Sequence, residues 1–208
     1  MTRGRFITLE GGEGAGKSTQ VRDLAAALRA HGLEVVETRE PGGSDGAEAI
    51  RALLLTGAAD RWSPRAEALL FAAARADHIE KTIRPALDRG AWVLSDRFLD
   101  SSRAYQGMGE LSDADILALH DVGSGGFLPD RTFILTLPEA EAEARANVRD
   151  GGEADRIGGR DRAFHQRVAQ AFTRFAAEDP VRIRPIDASG DPAQVTARLL
   201  EAIRDLLA

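Results

Sequence analysis

Residues 11–18 read Gly11-Gly12-Glu13-Gly14-Ala15-Gly16-Lys17-Ser18, a full match to G-x-x-x-x-G-K-[ST]. Glycines at this spacing let backbone N–H groups curl around phosphate oxygens, and a helix N-terminus behind them adds partial positive charge. Lys17 is placed to reach the β- and γ-phosphates, and the Ser18 hydroxyl to ligate Mg²⁺. The context is also right, with an apolar run before the loop and a helical pattern after it. These residues imply a nucleoside-triphosphate site. A guanine-selective Asn-Lys-x-Asp segment is absent, since Lys17 and Lys81 are the only lysines. Motor and transport ATPases usually need more chain, so a small-molecule kinase suits the length best.

Other residues have the chemistry to take up an acceptor. Asp96-Arg97 ends an apolar run, where an acid can orient Mg²⁺-bound water and an arginine can clamp a phosphate; a structural ion pair is the alternative. Phe71 and Arg75 stand at i and i+4 on one helix face, suited to stack a base and donate to its carbonyl edge. The plainer reading puts Phe71 in the core and Arg75 at its solvent edge. Ser102 and Gln106 are again four apart, with Tyr105 beside them. Arg39-Glu40-Pro41-Gly42-Gly43 is either a charged turn facing the same rim or an ordinary Pro-Gly turn.

The elements that must position these residues follow from apolar periodicity. Strands are predicted at Phe6–Leu9, Val35–Val36, Ala91–Leu94, Thr132–Leu137 and Val181–Ile186. Helical patterns follow the glycine loop, cover about residues 63–88 with interruptions near Pro64 and Pro85, and close the chain through Val195, Leu199, Ile203 and Leu206. Strands separated by helices imply parallel pairing, hence an α/β fold with a five-stranded doubly wound sheet and a ligand crevice at the strands' carboxyl ends. No linker divides the 208 residues, so a single domain is expected. Between Arg149 and Arg162, four glycines sit among arginines and acids, a composition suiting either a closing lid or a solvated loop.

Composition narrows the class further. Cysteine is absent, which excludes disulfides, thiol catalysis and cysteine-ligated zinc. A net charge of −6 argues against a nucleic-acid coat. No apolar run approaches the roughly 18 residues of a membrane helix, and no targeting segment is visible, so a cytoplasmic protein with no membrane partner is expected.

Taken together and in order, Glu10 to Ser18, Arg39 to Gly43, Leu70 to Arg75, Asp96-Arg97-Phe98 and Ser101 to Gly107 closely resemble the thymidylate kinase family. The resemblance covers essentially the whole chain. It implies a P-loop nucleoside-monophosphate-kinase-like fold with a short lid at about residues 145–162. It also implies phosphorylation of dTMP to dTDP with Mg²⁺ and ATP, and a homodimer. ATP would contact Gly11, Gly12, Glu13, Gly14, Ala15, Gly16, Lys17, Ser18 and Thr19, with Ser18 and Asp96 serving the metal. Phe71 would stack on thymine, Arg75 would donate to its carbonyl, and Ser102 and Gln106 would complete base recognition. Tyr105 would crowd the sugar 2′ position; Arg97 and Arg51 would hold the acceptor phosphate with Glu40 beside them; Glu13 would meet the 3′-hydroxyl. No arginine lies between Gly11 and Lys17, so the lid would supply one, with Arg149 and Arg156 favoured and Arg160 and Arg162 nearby. The loop Asp187 to Gly190 would face adenine. The alternatives are another nucleotide or nucleoside kinase on the same scaffold, or a nucleotide-dependent switch.

Overall fold

The computed structural model of the chain describes residues 3–138, 140–142, 144–145 and 156–207. Strands β1 (Phe6–Glu10), β2 (Val35–Arg39), β3 (Trp92–Asp96), β4 (Arg131–Thr136) and β5 (Ile183–Asp187) form one sheet in the order β2-β3-β1-β4-β5. Every pairing is parallel, as the strand–helix alternation requires.

Strands β1, β2, β3 and β5 run further toward their carboxyl ends than their apolar cores suggest, whereas β4 stops at Thr136, one residue short of the predicted Leu137. Arg39 of β2 is in register with Asp96 of β3, although neither is apolar. Ladder hydrogen bonds belong to the backbone, so a strand can carry polar side chains past the point where hydrophobicity stops reporting it. The last strand starts two residues later than Val181, which is largely exposed.

Alternation along the strands builds a core on each face. Ile7, Leu9, Leu94, Phe133 and Leu135 pack against Leu24 and Leu28 of α1 (Lys17–Ala30) and Val195 and Leu199 of α8 (Pro192–Ala202). Phe6 and Val93 face the other way, toward Ile79, Ile83, Phe98 and Leu99. Beside them, Ile134 and Ile183 meet Phe172 and Phe175 of α7 (Arg162–Glu178).

Between β2 and β3 lie α2 (Asp45–Leu55), α3 (Pro64–His78) and α4 (Arg84–Asp88); α5 (Leu99–Gln106) and α6 (Asp113–Ser124) follow β3. Pro64 begins α3 rather than interrupting it, with Ser63 as the N-cap accepting from the Ala66 N–H. The second interruption is real. Residues 79–83 form a π-helical turn, and Pro85 has no N–H to offer the carbonyl four residues back.

Candidate active site

The carboxyl ends of β1, β2 and β3 deliver Gly11, Glu40 and Arg97 to one edge of the sheet, bordering a cleft of about 880 Å³. Two glycines make the loop at its floor. Gly11 sits at φ 133°, where an added Cβ would lie 2.6 Å from the Leu135 carbonyl oxygen. Gly16, at φ 85°, occupies the N-cap position of α1 with no side chain bonded to the helix end. The first N–H groups of α1 have no intrahelical acceptor and suit an anion. Glu13, Gly14, Ala15, Gly16, Lys17, Ser18 and Thr19 all line the cleft.

Lys17 is buried, with Nζ donating to the Gly12 carbonyl at 2.7 Å and to Gly11 at 3.2 Å. Burial and the neighbouring Arg97 push its ammonium down to about 8, against the pull of Glu13, Asp96 and Glu10. Ser18 Oγ donates to Asp96 Oδ2 at 2.5 Å, so the two oxygens assigned to a metal stand side by side. Among the described residues no cluster of three or more His, Cys, Asp or Glu could hold a metal by itself.

Arg97 follows β3 at φ 72°, a left-handed conformation that costs a non-glycine residue about 1–3 kcal/mol. That turn aims its guanidinium back across the cleft. It donates to Glu13 Oε1 at 2.6 Å, to the Gly11 carbonyl and Ser101 Oγ at 3.1 Å, and to the Tyr105 hydroxyl at 3.3 Å. Burial disfavours its charge, but Tyr105, Glu13, Asp96 and Glu10 outweigh that. Beneath it, fully buried Glu10 accepts from the Phe98 N–H at 2.8 Å and from Ser101 Oγ. Burial, then Asp100, push this carboxyl up to about 8. Tyr105 rises to about 12, through burial opposed by Arg97.

The other half of the cleft comes from α3 and α5. Phe71, Arg75, Ser102, Tyr105 and Gln106 all line it, and so does Arg51 of α2, whose guanidinium donates to the Pro41 carbonyl at 2.6 Å. Arg75 is not at a solvent edge: it is 3% exposed, donating to Glu40 Oε2 and Ser102 Oγ at 2.8 Å and to the Phe98 carbonyl at 3.1 Å. Glu40 is buried, and its carboxylate is committed to Arg75 and to His78 Nδ1 at 3.0 Å. It braces Arg75 rather than reaching along the rim. His78 Nε2 in turn meets the Thr38 hydroxyl at 2.7 Å. Neither His78 nor Glu67, which anchors Gln106 at 3.1 Å, was singled out by sequence reasoning. Only the residue types inside an apolar helix hinted at them.

The arginines assigned to the lid fare differently. Arg149 lies outside the described residues. Arg156 does not line the cleft; its side chain is 1% exposed, donating to the Leu54 carbonyl at 2.8 Å, to Ala59 at 3.3 Å and to Glu67 Oε2 at 2.5 Å. A guanidinium with three buried acceptors is held where it is, so the expectation that Arg156 faces the phosphates is corrected here. Arg160 also donates to Glu67. Arg145, which the sequence reading passed over, does line the cleft and lies beside the Ala188 and Gly190 carbonyls.

Known proteins resemble the chain along nearly its whole length. The family profile described as thymidylate kinase matches residues 9–199. A thymidylate kinase from Rhizorhabdus wittichii is 65% identical across 98% of this chain and 99% of its own. One from Caulobacter vibrioides is 52% identical across 98% and 97%. The crystal structure of a thymidylate kinase from Ehrlichia chaffeensis superposes with a TM-score of 0.77 at 32% identity, covering 97% of this chain and 99% of that one.

Proposed function

The chain belongs to the thymidylate kinase family, and from that premise we propose how its cleft divides the work of moving a phosphoryl group from ATP to dTMP. The enzyme phosphorylates dTMP to dTDP. The glycine loop from Gly11 to Gly16, with Lys17, Ser18 and Thr19, holds the ATP polyphosphate. Lys17 exchanges its two loop carbonyls for phosphate oxygens, which restores its full charge. The Ser18–Asp96 pair fits Mg²⁺, which takes few protein oxygens and completes its shell with water and phosphate. Mg²⁺ bound there supplies charge neutralisation on the polyphosphate.

Arg97 and Arg51 hold the acceptor phosphate. Phe71 stacks on the base, Arg75, Ser102 and Gln106 bond its edge, Tyr105 crowds the 2′ position, and Glu13 meets the 3′-hydroxyl. Glu40 serves the acceptor through Arg75. Arg149 is the lid arginine, and Arg156 anchors the carboxyl end of a lid at about residues 145–162 in an otherwise single domain. The acceptor is already an anion, so no strong base is needed; positioning, charge neutralisation and exclusion of water carry the reaction.

The observation that carries this reading is the convergence of Phe71, Arg75, Ser102 and Gln106 on the cleft that holds Lys17 and the glycine loop. Phe71→Ala tests it. Losing a base stack should raise KM for dTMP about tenfold or more while KM for ATP stays within about twofold. Unchanged dTMP affinity would return Phe71 to the core. We further propose a cytoplasmic homodimer. No helix among the described residues is long and apolar enough to cross a membrane. Exposed Leu69 and Val122 lie on α3 and α6, which pack together and offer an apolar face to a second copy.

A further inference from the structure

Glu67 is buried in α3 and touches neither the glycine loop nor the reacting phosphates, yet it is the meeting point of three side chains. Gln106 Nε2 donates to Oε1 at 3.1 Å, Arg156 donates to Oε2 at 2.5 Å, and Arg160 donates to both oxygens at 2.9 and 3.0 Å. Burial pushes its carboxyl up, but Arg160, with the hydrogen bonds from Gln106 and Arg156, outweighs burial and holds it below the ordinary 4.5. Glu67 is therefore ionised, and an ionised carboxylate only accepts.

That constraint passes to Gln106. A carboxamide has a donor end and an acceptor end, and which way it points is decided by its neighbours. With an obligate acceptor on one side, the NH₂ group turns toward Glu67 and the Oε1 atom is left for the cleft that Gln106 lines. We infer that Glu67 is a specificity-determining positioning residue, which fixes the Gln106 amide so that it offers an acceptor to the nucleobase and thereby selects a base with a ring N–H over one with a bare ring nitrogen. Thymine presents N3–H at that edge. Cytosine presents an N3 lone pair, which repels a carbonyl oxygen. The inference rests on Gln106 reading the base, as proposed above.

The geometry also says what happens when the constraint is lifted. In Glu67→Gln, buried Arg156 still demands an oxygen, whereas Arg160, 28% exposed, can turn to solvent; the new amide therefore gives its oxygen to Arg156 and turns its NH₂ toward Gln106. Gln106 then flips, and its own NH₂ faces the cleft.

The test is the ratio of kcat/KM for dTMP to that for dCMP. Glu67→Gln should lower the ratio at least about tenfold. A purely structural role would reduce both acceptors alike and leave the ratio within about twofold, which would overturn the inference. Arg160→Lys keeps a cation beside Glu67 and leaves it an ionised acceptor, so its ratio should stay that of the wild type; a comparable fall there would also contradict the inference. Should Glu67→Gln fail to fold with Arg156 left uncompensated, the double variant E67M/R156M removes the acceptor that fixes Gln106 together with the charge it would strand, and should lower the ratio at least about fivefold, a ratio within about twofold of the wild type overturning the inference. Gln106→Leu separates the two layers. If it lowers the ratio while Glu67→Gln does not, Gln106 reads the base without being set by Glu67; if Gln106→Leu leaves the ratio unchanged, the base-reading role itself is lost.

Discussion

Lys17 and Glu10 are ionisable groups held far from their ordinary behaviour by burial on either side of Arg97, and each makes a distinct pH prediction. Lys17 is pushed down to about 8 before nucleotide arrives. Polyphosphate favours its charged form, so the free enzyme and the complex titrate differently. The kcat/KM for ATP should fall on an alkaline limb near pH 8, with the limb in kcat displaced to higher pH; a kcat/KM flat through pH 9 would contradict this. Glu10 is pushed up to about 8 from an ordinary value of 4.5. The folded state thus holds a proton that the unfolded chain releases, so stability is lost as pH rises from about 4.5 to about 8 and is level beyond. Glu10→Gln is neutral at every pH and keeps an oxygen to accept from the Phe98 N–H. Its thermal midpoint relative to the wild type should be more favourable at pH 8.5 than at pH 5; the opposite order would show that Glu10 is ionised in the fold.

At the scale of elements, the glycine loop owes its shape to individual backbone positions, which substitution can distinguish. Gly11→Ala meets both a left-handed φ and the Leu135 carbonyl at 2.6 Å, whereas a Cβ at Gly12 has nothing within 4 Å. Gly11→Ala should therefore cost about 1–3 kcal/mol in denaturant unfolding and weaken ATP binding, with Gly12→Ala close to neutral in stability. Local encoding of this kind is why the loop, Lys17 and Ser18 were legible in the sequence. The pairs Phe71/Arg75 and Ser102/Gln106 were legible for a related reason, since helical spacing alone puts each pair on one face. What brings Glu40 to His78 is different: 38 positions separate them, and only the fold, which sets the end of β2 against the end of α3, makes them neighbours. Arg156 was misplaced for the same reason. Two of its three acceptors, the carbonyls of Leu54 and Ala59, are about a hundred residues upstream and carry no side-chain signature. Strand existence and parallel pairing were read correctly, while strand ends were not, because Thr38, Arg39, Ser95 and Asp96 stay in the ladder after the apolar pattern has stopped.

Across the whole molecule, a net charge of −6 coexists with a cleft lined by Lys17, Arg39, Arg51, Arg75, Arg97 and Arg145. The acidity lies elsewhere or is committed, as in the pairs Glu13–Arg97 and Glu40–Arg75. Positive charge concentrated at the carboxyl edge of the sheet suits two polyanionic substrates meeting there, without making the surface attractive to nucleic acid. Of the basic side chains lining the cleft, the single lysine stands at the phosphate loop, where a compact flexible ammonium can follow a moving group, and planar arginines hold fixed partners around it. Phosphoryl transfer in this cleft is directed to one particular nucleotide, dTMP. Steady-state ADP release measured with dTMP, dUMP, UMP, dCMP, AMP and thymidine as acceptors tests that directly. Turnover should depend on the acceptor, with dTMP having the highest kcat/KM by a wide margin; preference for another acceptor, or ADP release that is indifferent to the acceptor, would contradict it.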